Sequence, residues 1–169
     1  MTAARERRKG RAAARSSASR RIRVALGERA YPIHIEPGSL ARAGHAIAAA
    51  TGASRVGVVT VPGVGRRYAA TLLRSLRAAG VAVHRFDVPD GDATKNLRQA
   101  GRLYEAFLAV GLDRSSALVA LGGGVVGDLT GFVAATYLRG IPFVQVPTTL
   151  LAMGDASVGG KVAVNLPEG

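Results

Sequence analysis

Residues 117–121 read Ala-Leu-Val-Ala-Leu and run straight into Gly122-Gly123-Gly124. Five consecutive apolar residues without polar alternation suit a strand covered on both faces, and such strands belong to parallel sheets flanked by helices. The neighbouring sequence keeps that rhythm. Residues 55–60 and 81–88 read as strands and residues 65–79 and 94–110 as amphipathic helices, so the order through residue 121 is β-α-β-α-β. Upstream, residues 22–26 and 31–35 alternate around Gly27-Glu28-Arg29, a hairpin signal, and Glu36-Pro37-Gly38-Ser39 then offers Ser39 as N-cap to a short helix ending near Gly52. In a sheet covered on both faces, ligands lie beyond the carboxyl ends of the strands, so the loops after Thr60, Val88 and Leu121 are where chemistry belongs.

Composition narrows the function classes. A chain of 169 residues supports one ordinary domain. The absence of cysteine removes disulfides, thiolate metal sites and cysteine nucleophiles together. The longest uncharged run, residues 140–154, is interrupted by Pro142, Gln145 and Pro147 and falls short of the ~20 apolar residues of a membrane-spanning helix. A soluble, cytoplasmic protein without a membrane partner is expected. The net charge of +12 is uneven: nine basic residues against Glu6 leave +8 in residues 1–23, and +4 remains for all the others. Residues 1–21 therefore read as a disordered basic arm and residues 22–169 as the folded domain. A solvated extension, an Arg- and Ser-rich transit segment and a phosphate-binding arm all suit the arm, although no aromatic residue interleaves its charges for nucleic-acid stacking. His34, His45 and His84 have no metal-ligand spacing and read as structural or surface residues.

Four segments could carry chemistry. Strand, triple glycine and helix start (Gly122, Gly123, Gly124, Val125) present bare backbone N–H groups and a positive helix end, an anion cradle in form. The turn is neither G-x-G-x-x-G nor a P-loop, and a tight strand-to-helix turn asks for glycine on packing grounds alone. Asp128, read as lying in the first helical turn, is either a dipole cap or an acceptor for a sugar hydroxyl. Thr148 and Thr149 follow an apolar strand and a proline; they either hold ribose or phosphate oxygens or cap the next helix. The loop Pro89-Asp90-Gly91-Asp92-Ala93-Thr94-Lys95 is a glycine turn with an Asp cap or a charged ligand loop. Finally, Asp155 and Lys161 flank a glycine pair. Only three lysines stand against 20 arginines, so Lys95 and Lys161 mark places where a compact ammonium is suited.

Read together, these segments resemble the 3-dehydroquinate synthase family. The matching text is Leu26-Gly27-Glu28-Arg29-Ala30-Tyr31-Pro32-Ile33, the Asp90–Lys95 loop, residues 122–140, residues 142–152, and residues 155–165. The resemblance implies a Rossmann-like, mostly parallel sheet with helices on both faces, preceded by a β-hairpin. It further implies that Asp90, Gly91, Asp92, Lys95, Gly122, Gly123, Gly124, Val125, Asp128, Thr148 and Thr149 bind NAD, and that Asp155 and Lys161 face the cofactor and a phosphorylated small-molecule substrate. The family's reaction converts 3-deoxy-D-arabino-heptulosonate 7-phosphate to 3-dehydroquinate and phosphate in the shikimate pathway, a phosphorus–oxygen lyase step of chorismate and aromatic amino acid biosynthesis. Its members are homodimers using a divalent metal, zinc or cobalt. A related sugar-phosphate cyclase, a metal-dependent polyol dehydrogenase and an inactive nucleotide-binding module are the alternatives.

Several positions depart from the family pattern. Val61 and Gly63 stand where polar residues usually meet the nucleotide, Asp92 where Glu is usual, Ala156 where Ser is common and Val162 where Thr is common. The family continues beyond Pro167-Glu168-Gly169 into a helical C-terminal domain carrying one Glu and two His as metal ligands. The expectation is thus a cofactor-binding part, incomplete at its C-terminal end, with no metal ligand in this chain, weak NAD binding and no turnover alone.

Overall fold

A computed structural model describes residues 19–167; the bulk of the basic arm, residues 1–18, lies outside the described residues. Two compact units divide the chain, with the boundary after Ser39. In the first, β1 (Arg20–Val24) pairs antiparallel with β2 (Tyr31–Ile35), Ile22 opposite Ile33, across a 3-10 turn at Gly27–Arg29. Gly27 takes a φ of 59°, the left-handed conformation that the turn needs. The first strand begins two residues earlier than expected, so Arg20 and Arg21 belong to the hairpin rather than to an arm.

The second unit is the expected βα alternation. Its elements are α1 (Ala43–Thr51), β3 (Arg55–Thr60), α2 (Pro62–Val64), α3 (Ala70–Ala78), β4 (Ala82–Asp87), α4 (Leu97–Ala109), β5 (Ala117–Gly122), α5 (Gly124–Thr136) and β6 (Phe143–Pro147). A π-helical turn, Gly65–Ala69, joins α2 to α3. The four strands are all parallel in the order β4-β3-β5-β6. Helices cover both faces. Leu118 and Ala120 of β5 pack with Leu103 and Phe107 of α4 and Leu129 and Val133 of α5, while Ala117, Val119 and Leu121 pack with Ile47 of α1 and Leu72 and Leu76 of α3. The unbroken apolar run of β5 is therefore explained residue by residue, because each successive side chain enters the opposite core.

Three local expectations change. Ser39 opens a 3-10 turn, Ser39–Arg42, instead of capping α1, whose N-cap is Arg42 with no side-chain bond. The helix expected from 65 starts at Pro62, since proline at the first position gives up no helical hydrogen bond. The helix expected from 94 starts at Leu97, because Asn96 is its cap and accepts from Gln99 N at 2.9 Å.

Beyond β6 the chain crosses α5 closely. A Cβ on Gly131 would lie 2.2 Å from Val162 Cγ1 and 2.9 Å from Phe143 Cε1, so only glycine at 131 lets this segment lie where it does. Among the described residues no helix is long and apolar enough to cross a membrane.

Candidate functional site

Every loop that follows a strand of the parallel sheet opens at the same edge. The chain enters the sheet at β3, moves outward to β4, then returns past β3 to β5, so the topological switch lies between β3 and β5, where a crevice forms in sheets of this kind. There Thr60 Oγ1 donates to Leu121 O at 2.7 Å, tying the two strand ends together. Val61, next in the chain, is buried in the core.

The glycines of the adjoining turn are not equivalent. A Cβ on Gly122 would meet Val126 Cβ and Cγ2 at 2.7 Å, so packing alone requires glycine there. A Cβ on Gly123 would lie 3.2 Å from Thr149 Cγ2, and one on Gly124 would only touch Ala156 Cβ at 3.5 Å. The protein's own packing does not demand a bare backbone at 124. Gly123 is the N-cap and offers no side chain, and the first helical hydrogen bond runs from Gly127 N to Gly123 O at 3.0 Å. The first-turn N–H groups of α5 thus lie outside the helical ladder.

The neighbouring loop closes on this turn through Thr148, whose N–H donates to Gly122 O at 2.9 Å. The threonine pair then divides. Thr149 Oγ1 accepts from Ala152 N at 3.2 Å and is a cap, whereas Thr148 Oγ1 is buried with no hydrogen-bond partner among the described residues. A buried hydroxyl left in that state is costly unless a ligand completes it.

Charge enters from the loop after β4. Lys95 Nζ lies 3.2 Å from Asp128 Oδ2 and 3.7 Å from Asp92 Oδ1. Lys95 and Asp128 are mostly covered, at 16% and 22% side-chain exposure. Asp128 therefore is not a cap: α5 has no acidic residue in its first turn, and Asp128 sits one turn further on, as an ion-pair partner. Nor does an aspartate of the loop cap α4, since Asn96 does. Asp90 stays apart from the cluster, its Oδ1 accepting from Gly91 N at 2.9 Å, and Gly91 has a φ of 99° that suits glycine. Asp155 and Lys161 form an exposed ion pair with each other after β6.

One participant escaped the sequence reading. Asn165 pairs with Asn96 in a parallel bridge, donates from its N–H to Lys95 O at 2.7 Å, and donates from Nδ2 to Asp92 Oδ2 at 2.7 Å. Its one sequence signal is an amide side chain closing the stretch Val162-Ala163-Val164. For a metal, the described residues hold no group of three His, Cys, Asp or Glu side chains that could bind one.

Known proteins match this architecture. The family model for the 3-dehydroquinate synthase N-terminal region matches residues 85–169. A 3-dehydroquinate synthase of Pelotomaculum thermopropionicum is 51% identical over 148 residues, covering 88% of this chain and 40% of that protein. Among solved structures, a 2-deoxy-scyllo-inosose synthase complexed with carbaglucose-6-phosphate, NAD+ and Co2+ superposes with a TM-score of 0.79 at 25% identity, over 89% of this chain and 41% of its own. A 2-epi-5-epi-valiolone synthase from Streptomyces hygroscopicus with NAD+ and Zn2+ bound gives 0.72 at 33% identity, over 86% and 40%. The chain spans about 40% of the length of the curated relatives it matches. With a match that begins inside β4 and runs through the loops after β4, β5 and β6, the chain belongs to the 3-dehydroquinate synthase family and corresponds to its N-terminal region.

Proposed function

We propose that this chain is the NAD-binding part of a 3-dehydroquinate synthase. The observation that carries the reading is the buried, unpartnered hydroxyl of Thr148, held against Gly122 beside a helix start whose backbone at Gly124 is bare without packing need. These groups fit a dinucleotide: the first-turn N–H groups of α5 would bind its pyrophosphate, and the Thr148 hydroxyl would donate to one of its oxygens. Lys95, Asp92 and Asp128 would bind its polar groups from the β4 side, with Asp90 and Gly91 shaping that loop. Gly123, Val125 and Thr149 complete the turn.

When bound, NAD supplies a hydride acceptor that oxidises a substrate hydroxyl and later returns the hydride. The chain's own residues do the remaining work. Asp155 pairs with the Lys161 ammonium, whose remaining N–H groups would donate to the phosphate of 3-deoxy-D-arabino-heptulosonate 7-phosphate. The divalent cation implied by the family does not fit the described residues, which lack a ligand set, so no step runs through a metal here. Of the alternatives, 51% identity to a 3-dehydroquinate synthase against 25% and 33% to the two other synthases favours the first substrate.

Calorimetric titration with NAD tests the reading. Weak, saturable binding by the wild-type chain that falls in Thr148→Val supports it; no binding, or equal binding by the variant, overturns it. Because the described residues hold no metal ligand set, this chain alone is expected to release no phosphate from the seven-carbon substrate.

A further inference from the structure

Asn165 is far in sequence from the loop after β4, yet it grips that loop at two points. Its backbone N–H donates to Lys95 O and its side-chain Nδ2 to Asp92 Oδ2, each at 2.7 Å. The carboxylate of Asp92 is thereby divided, one oxygen toward Asn165 and the other 3.7 Å from Lys95 Nζ. On the other side of the bridge, Asn96 donates to Ala93 O at 2.6 Å and caps α4. The loop's backbone hydrogen bonds are short-range, Thr94 N to Gly91 O and Lys95 N to Asp92 O, and fix its internal shape; its direct tie to α5 is the Lys95 ammonium on Asp128. Placing the backbone that carries this ammonium calls for a second anchor, itself referenced to α5. The segment bearing Asn165 has one, because Val162 is seated against the bare backbone of Gly131 in that helix.

We infer that Asn165 is a positioning residue for the dinucleotide site. It holds the Asp92–Lys95 loop in register with α5 and so delivers the Lys95 ammonium to Asp128 at the edge where the cofactor lies. The inference rests on the NAD reading above and deepens it by assigning the loop's placement to a residue that touches no ligand itself. Its chemical content is one donor: Asn165 must offer an N–H to a carboxylate. Asn165→Asp keeps size and shape and removes that donor, setting a carboxylate against Asp92, so a role resting on shape alone survives the change and a donor role does not.

The test compares wild type, Asn165→Ala and Asn165→Asp, using NAD titration, thermal unfolding and amide hydrogen exchange. The expected result is about fivefold weaker NAD binding in Asn165→Ala, the order of the net worth of one ordinary hydrogen bond, and a larger loss in Asn165→Asp. Exchange should rise at residues 91–96 in both variants and stay unchanged along α5, with melting temperatures close to wild type. Affinity loss that tracks a fall in melting temperature, or Asn165→Asp binding as wild type, overturns the inference. Unchanged exchange at residues 91–96 overturns it irrespective of the NAD result. Failure of the wild-type chain to bind NAD, with the exchange change present, overturns the NAD reading and leaves Asn165 as the loop's anchor.

Discussion

Lys95 and Asp128 meet across 33 residues of sequence, Nζ to Oδ2 at 3.2 Å, and join the loop after β4 to the second turn of α5. Both side chains are largely covered, so neither charge is tolerable alone at low cost. Replacing Lys95 by Met should destabilise the fold by about 1–2 kcal/mol, the range of a partly covered hydrogen bond to a charge. The double variant with Asp128→Asn should recover part of that loss. Urea unfolding of the two single variants and the double variant supplies the cycle, and strictly additive losses would show that the pair is not coupled.

The triple glycine separates packing from ligand binding. Gly122→Ala drives a Cβ to 2.7 Å from Val126 and should cost about 1–3 kcal/mol as an overpacked site. Gly124→Ala meets only ordinary contact with Ala156, and alanine at a helix start should keep or slightly raise stability. NAD binding should nevertheless fall in Gly124→Ala. Thermal melts paired with calorimetry read both quantities, and an unaltered affinity in Gly124→Ala would remove the backbone at 124 from the binding surface.

The two threonines should respond in opposite ways. Thr149→Val removes the acceptor for Ala152 N and should cost about 1 kcal/mol, as other lost caps do. Thr148→Val removes a buried hydroxyl that has no partner and should leave the free protein as stable as wild type or more so. Chemical denaturation decides between them. A loss in Thr148→Val as large as that in Thr149→Val would mean that the hydroxyl is satisfied in solution.

Acid stability has a local source away from the site. Hydrogen bonds from the Ser115 and Ser116 hydroxyls, then from the Ser115 backbone N–H, hold the Asp113 carboxyl below the usual aspartate range, with a smaller contribution from Arg55. A depressed folded-state value means that the stabilisation is fully present above the unfolded aspartate value of about 3.9 and disappears as pH falls through the lower folded value. Asp113→Asn should flatten that part of the stability profile. An NMR titration placing the Asp113 carboxyl at or above the ordinary value would contradict the hydrogen-bond pattern.

The sheet was readable because its strands carry their own evidence. The reading of β3 matched its observed bounds, Arg55–Thr60, and the unbroken apolar run of β5 read as the buried strand it is. Helix starts were less legible, because a start depends on which polar group reaches back to the backbone. Asn96 took the cap expected of an aspartate in the loop, and the turn Asp92–Thr94 became 3-10 instead. The candidate residues arrived in one region because topology puts all carboxyl ends at one edge, but roles within the region needed distances. Thr148 and Thr149 are indistinguishable by type, and Asp128 changes from dipole cap to ion-pair partner through a shift of one helical turn. Asn165 was invisible as a partner of Lys95 because no local pattern encodes contact across 70 residues.

The missing side chain at Gly131 gives the helix a second task. A bulkier residue there would push Val162 away, and with it the strap that ends at Asn165. A substitution in the middle of α5, at none of the candidate ligand residues, would then register as a cofactor defect. Sequence variants at such a position would be misjudged by any inventory of contact residues, because their damage is transmitted through the course of the chain.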